Sequence, residues 1–573
     1  MPRCLRFGLA AVLFAAPAAA QPRSAVPPPV DSKTGLVVSV DGIASDVGAA
    51  VLRKGGNAVD AAVATAFALA VTHPAAGNIG GGGFMIVRTA TGDALAIDYR
   101  ERAPLASTPT MYLDSNGKIN RQATATGYLA PGVPGTVRGL ELAHKMYGKL
   151  PWKDVVMPAV TLADAGFPLS ESLARGLNRE VTGAMARYPA SVRAYGKRGA
   201  EPWKAGDTLV LKDLARALRA IATDGAAAFY TGWIADSIAA AMKSNGGLIT
   251  KKDLADYAAK SRPPVRGSYR GYEIISMPPP SSGGVAMIET LNILENFDLK
   301  SLGRHSAETQ HLMIEAMRRA FLDRARFLGD PDFVTVPVEK LTSKPYAKTL
   351  AQSIDRKRAS SSVELGRDIV TLAASSHESE ETTHFSVVDK NGMAVSNTFT
   401  LEGGYGSHVV VSGAGFLLNN EMGDFNKKPG ETNLGGDIGT EANLIAPGKR
   451  MLSSMTPTIV TKDGQLALIT GSPGGRTIIN TVYEIVLNVT EFGMNVRQAV
   501  ESPRVHHQWL PDVTTFERDA IPDSVVKRLE AMGHTVKLGG QQGDGHSIVY
   551  DAKTKTAHGA NDRRSPDSKV AVP

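Results

Sequence analysis

The fold turns on the reading of Glu381–Lys390, "ETTHFSVVDK", and of the residues that run on from it, "NGMAVSNTFT" (391–400). Apolar and polar side chains alternate on either side of Asn391-Gly392, the pattern of a β-hairpin. A three-residue loop, Lys390-Asn391-Gly392 with Gly392 left-handed, sets Thr400 opposite Thr382. One face then carries Thr382, His384, Ser386, Thr398 and Thr400, and the other carries Phe385, Val387, Val395 and Phe399. A two-residue Asn-Gly loop shifts the pairing by one and mixes these sets, so the segregated register is preferred. It brings two threonine hydroxyls together at the end of a polar face. Thr383 points to the opposite face and takes a structural role.

Residues 352–381, rich in Ser, Lys, Arg and Glu, read as a flexible linker in front of this hairpin. A threonine hydroxyl is a weak nucleophile unless a base stands beside it. An N-terminal threonine brings its own base, an α-amine that titrates at about 7.7–8.0 in small peptides, close to working pH. Thr382 gains that amine if the Glu381–Thr382 bond is cut. Taken alone, the junction also fits a plain loop entering a Thr-rich strand.

The rest of the chain narrows the function classes. Arg3 and Arg6, the apolar run Gly8–Ala16 and "PAAAQ" read as a secretory signal peptide cut after Ala20, giving a segment 1–20 absent from the mature protein. Its apolar run is too short for a membrane anchor. The single cysteine, Cys4, leaves with it, so no disulfide, Cys-ligated metal or Cys nucleophile is expected. A bacterial periplasm suits such a chain. Loss of Arg3 and Arg6 takes the formal charge from +7 to +5, with basic and acidic residues interleaved. No nucleic-acid surface is expected: the densest basic stretch, "EAMRRAFLDRARFLGD" (Glu315–Asp330), has helical spacing and reads as a solvated amphipathic helix. "AVDAAVATAFALAV" (Ala58–Val71) reads as a buried helix capped by Asn57. Positions 105–350 read as mostly helical, and strand patterns dominate from Thr382 onward. Length alone predicts three or four domains of about 150 residues.

Several longer motifs occur in order. "TTHFSVVDKNG", "FLLNNEMGDF", "RMLSSMTPTIV" and "TGSPGG" follow one another in the C-terminal third. "GGNAVDAAVA", "THPAAGNIGGGGFM", "DYRERAP" and "MPPPSSGG" precede them, and "PRVHHQWLPD" follows. Together they resemble the γ-glutamyltranspeptidases, also called glutathione hydrolases, over nearly all of the mature chain. The resemblance implies an α+β fold, the four-layer αββα sandwich of the N-terminal nucleophile hydrolases. It also implies a precursor that cleaves itself into a large subunit, 21–381, and a small subunit, 382–573, which stay together as a heterodimer in one intertwined domain.

The roles follow from the same resemblance. Thr382 is the implied nucleophile of self-cleavage and turnover, with Glu381–Thr382 the cleaved bond, and Thr400 orients it. Gly474 and Gly475 match the oxyanion donors; glycines let backbone N–H groups approach a developing O⁻. Arg100 matches the arginine that binds the substrate carboxylate, ahead of its neighbour Arg102, and Ser453 and Ser454 share that carboxylate. Glu402, Glu421 and Asp424 surround the α-ammonium. Three clustered carboxylates need a cation, which favours an α-amino acid donor. The Asp424–Ser453 interval matches the lid; where some members place an aromatic residue it carries Gly435 and its neighbours, with no Tyr, so looser closure is expected. "NIGGGGFM" fits neither a dinucleotide nor a P-loop spacing. The pairs His506-His507 and His377…His384 lack metal-ligand spacing, and the implied mechanism needs no metal or other cofactor.

The expected partners are small γ-glutamyl substrates such as glutathione and acceptor amino acids or peptides. Two rivals remain open. One is a cephalosporin (glutaryl) acylase of the same fold. The other is an uncleaved periplasmic solute-binding protein.

Overall fold

The computed structural model describes residues 26–371, 382–518 and 520–573. The expected signal peptide and Glu381 lie outside the described residues. Fourteen strands make up the two large sheets. In chain order they are β1 (Val30–Ser32), β2 (Gly35–Ser39), β3 (Gly82–Arg88), β4 (Ala94–Tyr99), β5 (Lys260–Arg262), β6 (Val265–Tyr269), β7 (Tyr272–Ser276), β8 (Thr383–Asp389), β9 (Ala394–Thr400), β10 (Thr458–Lys462), β11 (Gln465–Thr470), β12 (Ser547–Asp551), β13 (Thr556–Ala560) and β14 (Lys569–Ala571). One sheet runs β14-β2-β8-β9-β3-β4-β5 and the other β1-β13-β12-β11-β10-β7-β6. Every pairing within them is antiparallel. Both sheets mix strands from before residue 371 with strands from after residue 382, so the two halves of the chain share both sheets.

The central hairpin has the expected register. Thr383 pairs with Phe399 and Val388 with Ala394, and Gly392 sits at φ +85° in the turn. Extending the ladder by one residue sets Thr382 beside Thr400. Phe385, Val387, Val395 and Phe399 enter one large apolar core. There they meet α1 (Gly42–Arg53) and α2 (Ala58–Thr72), the outer layer on that side. Every residue of α2 is buried, and a capping box between Asn57 and Asp60 closes its first turn. Each fully buried Val, Leu or Phe there stabilises the fold by about 1.5–3 kcal/mol.

The polar face of the hairpin looks at the second sheet. Ser396 Oγ donates to the Thr470 carbonyl at 2.8 Å, and Ser386 Oγ donates to the His546 carbonyl at 2.7 Å. Burial of these groups is tolerated because each finds a partner across the layers. Beyond the second sheet lie α3 (Gly283–Leu294), α4 (Ala307–Phe327) and α5 (Thr477–Thr490), packed on a second apolar core. The layers therefore run αββα.

The stretch 105–350 is mostly helical, as expected, and β5 and β6 add an edge strand to each sheet. Two local expectations differ from the structure. The Glu315–Asp330 segment is not a solvated helix: α4 is buried along most of its length, and Arg318 and Arg319 are buried in ion pairs with Glu315. Within the stretch read as a linker, residues 352–371 carry a short helix, Ser362–Leu365, and Thr371 bonds Thr432.

Candidate active site

The start of β8 and the ends of β4 and β9 lie along one rim of the first sheet. Together with the loop after β11 they wall a cleft. Thr382, Thr400, Glu402, Glu421, Asp424, Ser453, Ser454, Arg100 and Gly475 all line it. Gly474 lies one residue behind Gly475 and is buried.

At one end the groups are uncharged. Thr400 Oγ1 accepts the Glu402 N–H at 2.8 Å, which leaves its own proton to donate elsewhere. The Thr400 carbonyl accepts from Asn78 Nδ2 at 2.8 Å. A Cβ on Gly81 would come within 2.0 Å of that carbonyl, so this member of the "NIGGGGFM" run is required for close approach to the β8–β9 hairpin. Opposite, Gly474 and Gly475 take φ of +126° and +54°. The Gly474 carbonyl accepts both the N–H (3.0 Å) and the hydroxyl (2.6 Å) of Thr477, forming the tight turn that opens α5. Positive-φ glycines running into a helix N-terminus point successive N–H groups the same way, a ready anion cradle.

At the other end the groups are charged. Arg100 follows β4 directly and is fully buried. It donates through Nη1 to Glu421 Oε1 and through Nη2 to Asp424 Oδ2 at 2.5 Å. Nη2 also reaches the Leu452 carbonyl at 3.1 Å, and Nε the Met451 carbonyl at 3.3 Å. Arg102 turns instead to the Asp256 carbonyl at 3.2 Å. The carboxylate cluster inferred from sequence is therefore not bare: Arg100 is a cation inside it. Sequence reading missed Glu101. It is fully buried, 3.7 Å from the Arg100 guanidinium, and neither of its oxygens has a hydrogen-bond partner. Glu421 Oε2 is likewise unpartnered.

Burial raises both acids against the pull of Arg100. Glu101 moves up to about 7, and Glu421 rises well above the usual range with Glu101, Asp424 and Glu402 adding to the effect. Burial disfavours the Arg100 charge, but Glu421, Asp424 and Glu101 outweigh it and hold the guanidinium firmly protonated. The Asp424 side chain is 26% exposed against 1% for Glu421, so Asp424 is the acid of this pair that a ligand meets first.

The serines stand on a scaffold from "MPPPSSGG". Ser282 donates to the Ser453 carbonyl through both N (2.8 Å) and Oγ (2.6 Å), and Ser453 N donates to the Pro280 carbonyl at 3.0 Å. Arg324 of α4 reaches Ser282 Oγ at 2.9 Å and Ser454 Oγ at 3.0 Å. It is a second guanidinium on the cleft that sequence reading placed on a solvent face.

The lid interval contributes Ile438 and Thr440 to the cleft. Polar ties hold it. Both terminal nitrogens of Arg476 donate to the Gly436 carbonyl at 3.3 Å. Arg121 pairs with Asp437 at 2.7 Å, and Thr371 N donates to the Thr432 carbonyl at 2.7 Å.

The histidines serve the core. His384 bonds Thr398 Oγ1 (2.8 Å) and Ser386 Oγ (3.1 Å). His506 bonds Asn480 and Gln508, and burial lowers it to about 4. His507 Nδ1 bonds the Val513 carbonyl at 3.2 Å, and burial takes it well below the usual range. His377 lies outside the described residues. Among the described residues His311, Glu315 and His534 come within metal-ligand reach of one another. However, His311 Nδ1 bonds His534 Nε2 at 2.7 Å, and both Glu315 oxygens are taken by Arg318, Arg319 and Ser360 N.

Two threonines at a hairpin end, a glycine turn at a helix N-terminus and a buried guanidinium–carboxylate group share one cleft, an arrangement suited to acyl transfer. Comparison with known proteins agrees. The chain is 49% identical over 543 residues, 95% of its own length and 92% of the other's, to the glutathione hydrolase proenzyme of Escherichia coli (strain K12). Its fold overlays a cephalosporin acylase from Bacillus halodurans with a TM-score of 0.84 at 27% identity, covering 98% of this chain and 99% of that one. It overlays a γ-glutamyltranspeptidase chain from Helicobacter pylori with a TM-score of 0.56 at 48% identity, covering 56% of this chain and 93% of that one. The family model for γ-glutamyltranspeptidase matches residues 44–572, and the chain belongs to that family.

Proposed function

We propose that this chain is the proenzyme of a γ-glutamyl hydrolase and transferase acting on glutathione and related γ-glutamyl amides. It cuts itself between Glu381 and Thr382, and the 21–381 and 382–573 pieces remain associated. The Arg3/Arg6 and Gly8–Ala16 pattern supports export to the periplasm with cleavage after Ala20. In turnover, Thr382 Oγ attacks the γ-carbonyl and its proton passes to the Thr382 α-amine. The Gly474 and Gly475 N–H groups hold the oxyanion. The C–N bond breaks, the amine returns the proton to the leaving nitrogen, and a γ-glutamyl ester of Thr382 remains. Water or an acceptor amine then opens that ester.

One observation carries the reading: the paired hydroxyls of the hairpin end face Arg100, Glu421 and Asp424 across a single cleft. The substrate carboxylate is assigned to Arg100 with Ser453 and Ser454, beside Arg324. Its ammonium is assigned to Glu402, Glu421 and Asp424. With Glu101, four carboxyl groups stand against the one Arg100 guanidinium, so this end of the cleft favours a ligand that brings an ammonium. A glutaryl group has none, which weighs against the acylase reading. Thr382→Ala should give one uncleaved chain on a denaturing gel and lower γ-glutamyl hydrolysis by about 10⁴-fold or more. Normal processing in that variant would sink the assignment. Two wild-type bands, one starting at Thr382, exclude an uncleaved solute-binding protein.

A further inference from the structure

Beside the cleft lies a second, mostly polar recess. The two spaces share Asp424, Asn426, Ile438 and Arg476 as a common wall. Arg476 directly follows the oxyanion glycine Gly475, so this wall begins where a leaving amine departs from the γ-carbonyl. The chamber holds four cations: Arg121, Lys427, Lys428 and Arg476. Its three carboxylates are engaged: Asp424 with Arg100, Glu431 with Lys428 at 2.5 Å, and Asp437 with Arg121 at 2.7 Å. Lys427 differs. Its half-buried ammonium donates to the backbone carbonyls of Gly423 and Phe425, and among the described residues no carboxylate pairs with it.

An ammonium fixed on backbone carbonyls beside an arginine is a site for a second carboxylate. We propose that this chamber receives the amine partner of the reaction, an amino acid or dipeptide with a free carboxylate. Lys427, next to Arg476, binds that carboxylate. The inference rests on the acyl-transfer reading above. In the forward step the dipeptide leaves into the chamber as its C–N bond breaks. In transfer, an acceptor held there attacks the γ-glutamyl ester: a new C–N bond forms, the C–O bond to Thr382 breaks, and the acceptor's proton passes through the α-amine to Thr382 Oγ. Lys427 moves no proton; it sets which amines are recognised.

The test uses the processed enzyme and two donors: glutathione, whose leaving dipeptide carries a carboxylate, and a γ-glutamyl anilide, whose leaving amine does not. Lys427→Ala should lower the ratio of kcat/KM for glutathione to that for the anilide by about tenfold, mainly through the glutathione KM, the scale of one charge-assisted hydrogen bond. Lys427→Arg should keep the ratio within about threefold of wild type. Lys427→Gln repeats the comparison should the alanine variant fail to yield two subunits. A ratio within about twofold of wild type in the neutral variants, or equal loss in the arginine variant, overturns the proposal. Wild-type enzyme that hydrolyses neither donor overturns the underlying reading as well, so the two failures are distinguishable.

Discussion

Two buried guanidinium–carboxylate groups in this molecule look alike in composition and differ in balance. In the core, Glu315 lies between Arg318 and Arg319 on α4. Burial pushes Glu315 up, but the two arginines outweigh it and bring it down to about 2. Its Oε1 accepts from Arg318 Nε (3.2 Å) and Ser360 N (3.1 Å), and its Oε2 from Arg319 Nη1 (2.6 Å). At the cleft the ratio is inverted. Arg100 meets Glu421, Asp424 and Glu101, and three carboxylate oxygens there, two on Glu101 and one on Glu421, accept no hydrogen bond among the described residues. The first group is closed, with every oxygen of its acid satisfied. The second keeps a surplus of acids and unspent acceptors; burial raises Glu101 and Glu421 so that they hold protons until a ligand supplies a cation. Surplus, rather than the mere presence of buried charge, separates a binding wall from a structural network.

The largest effect is expected at the cleft. Arg100→Met removes the cation that pairs with those acids and should lower kcat/KM for a γ-glutamyl donor by about 10³-fold, roughly 4 kcal/mol. Steady-state kinetics on the processed variant measures it. A loss below tenfold would mean that Arg100 only balances its neighbours. The matching change in the core is Arg318→Met, which strips Glu315 of one partner and also releases Asp512 and Ser362. Stability should fall by about 3–5 kcal/mol in denaturant unfolding, while kcat/KM of the folded enzyme stays within about twofold of wild type. If Arg318→Met impaired catalysis selectively, the distinction between the two groups would fail.

What the sequence made legible was local. Period-two alternation and Gly392 were enough for the hairpin register, because strand faces and a left-handed turn are properties of adjacent residues. The motifs placed Arg100, Glu421, Asp424 and Ser454 on one cleft through family resemblance. What stayed hidden depends on distant partners. The arginines of α4 read as solvent-facing because nothing in the helix itself shows Asp512, or the serines on which Arg324 rests. The strands β6 and β7 carry mixed patterns, since β6 lies at a sheet edge. Glu101 is adjacent to Arg100 in "DYRERAP", yet adjacency says nothing about its burial or its two unpartnered oxygens. Arg100 inside the carboxylate cluster was likewise invisible: the motifs assign each residue its own substrate group, whereas folding also joins them to one another.

Glu101 gives the finest test of that surplus. Its folded pKa of about 7 stands above the ordinary value of 4.5. An acid raised by folding contributes stability that is full below the unfolded pKa and is lost as pH rises through the folded one. Stability attributable to Glu101 should therefore decline between about pH 4.5 and 7, the interval in which the folded form holds a proton that the unfolded chain releases. Binding should run the opposite way. As pH rises through 7, Glu101 gains its charge behind Arg100 and the wall attracts an ammonium more strongly, so KM for a γ-glutamyl donor should fall by about threefold. The Thr382 α-amine titrates nearby, at about 7.7–8.0 by the behaviour of small peptides, but it acts on the chemical step, so KM rather than kcat isolates the wall. Glu101→Gln keeps the shape, removes the titration and should flatten both the KM inflection and the stability slope. An inflection near pH 7 that persists in the glutamine variant would assign that proton to another group and leave Glu101 as packing alone.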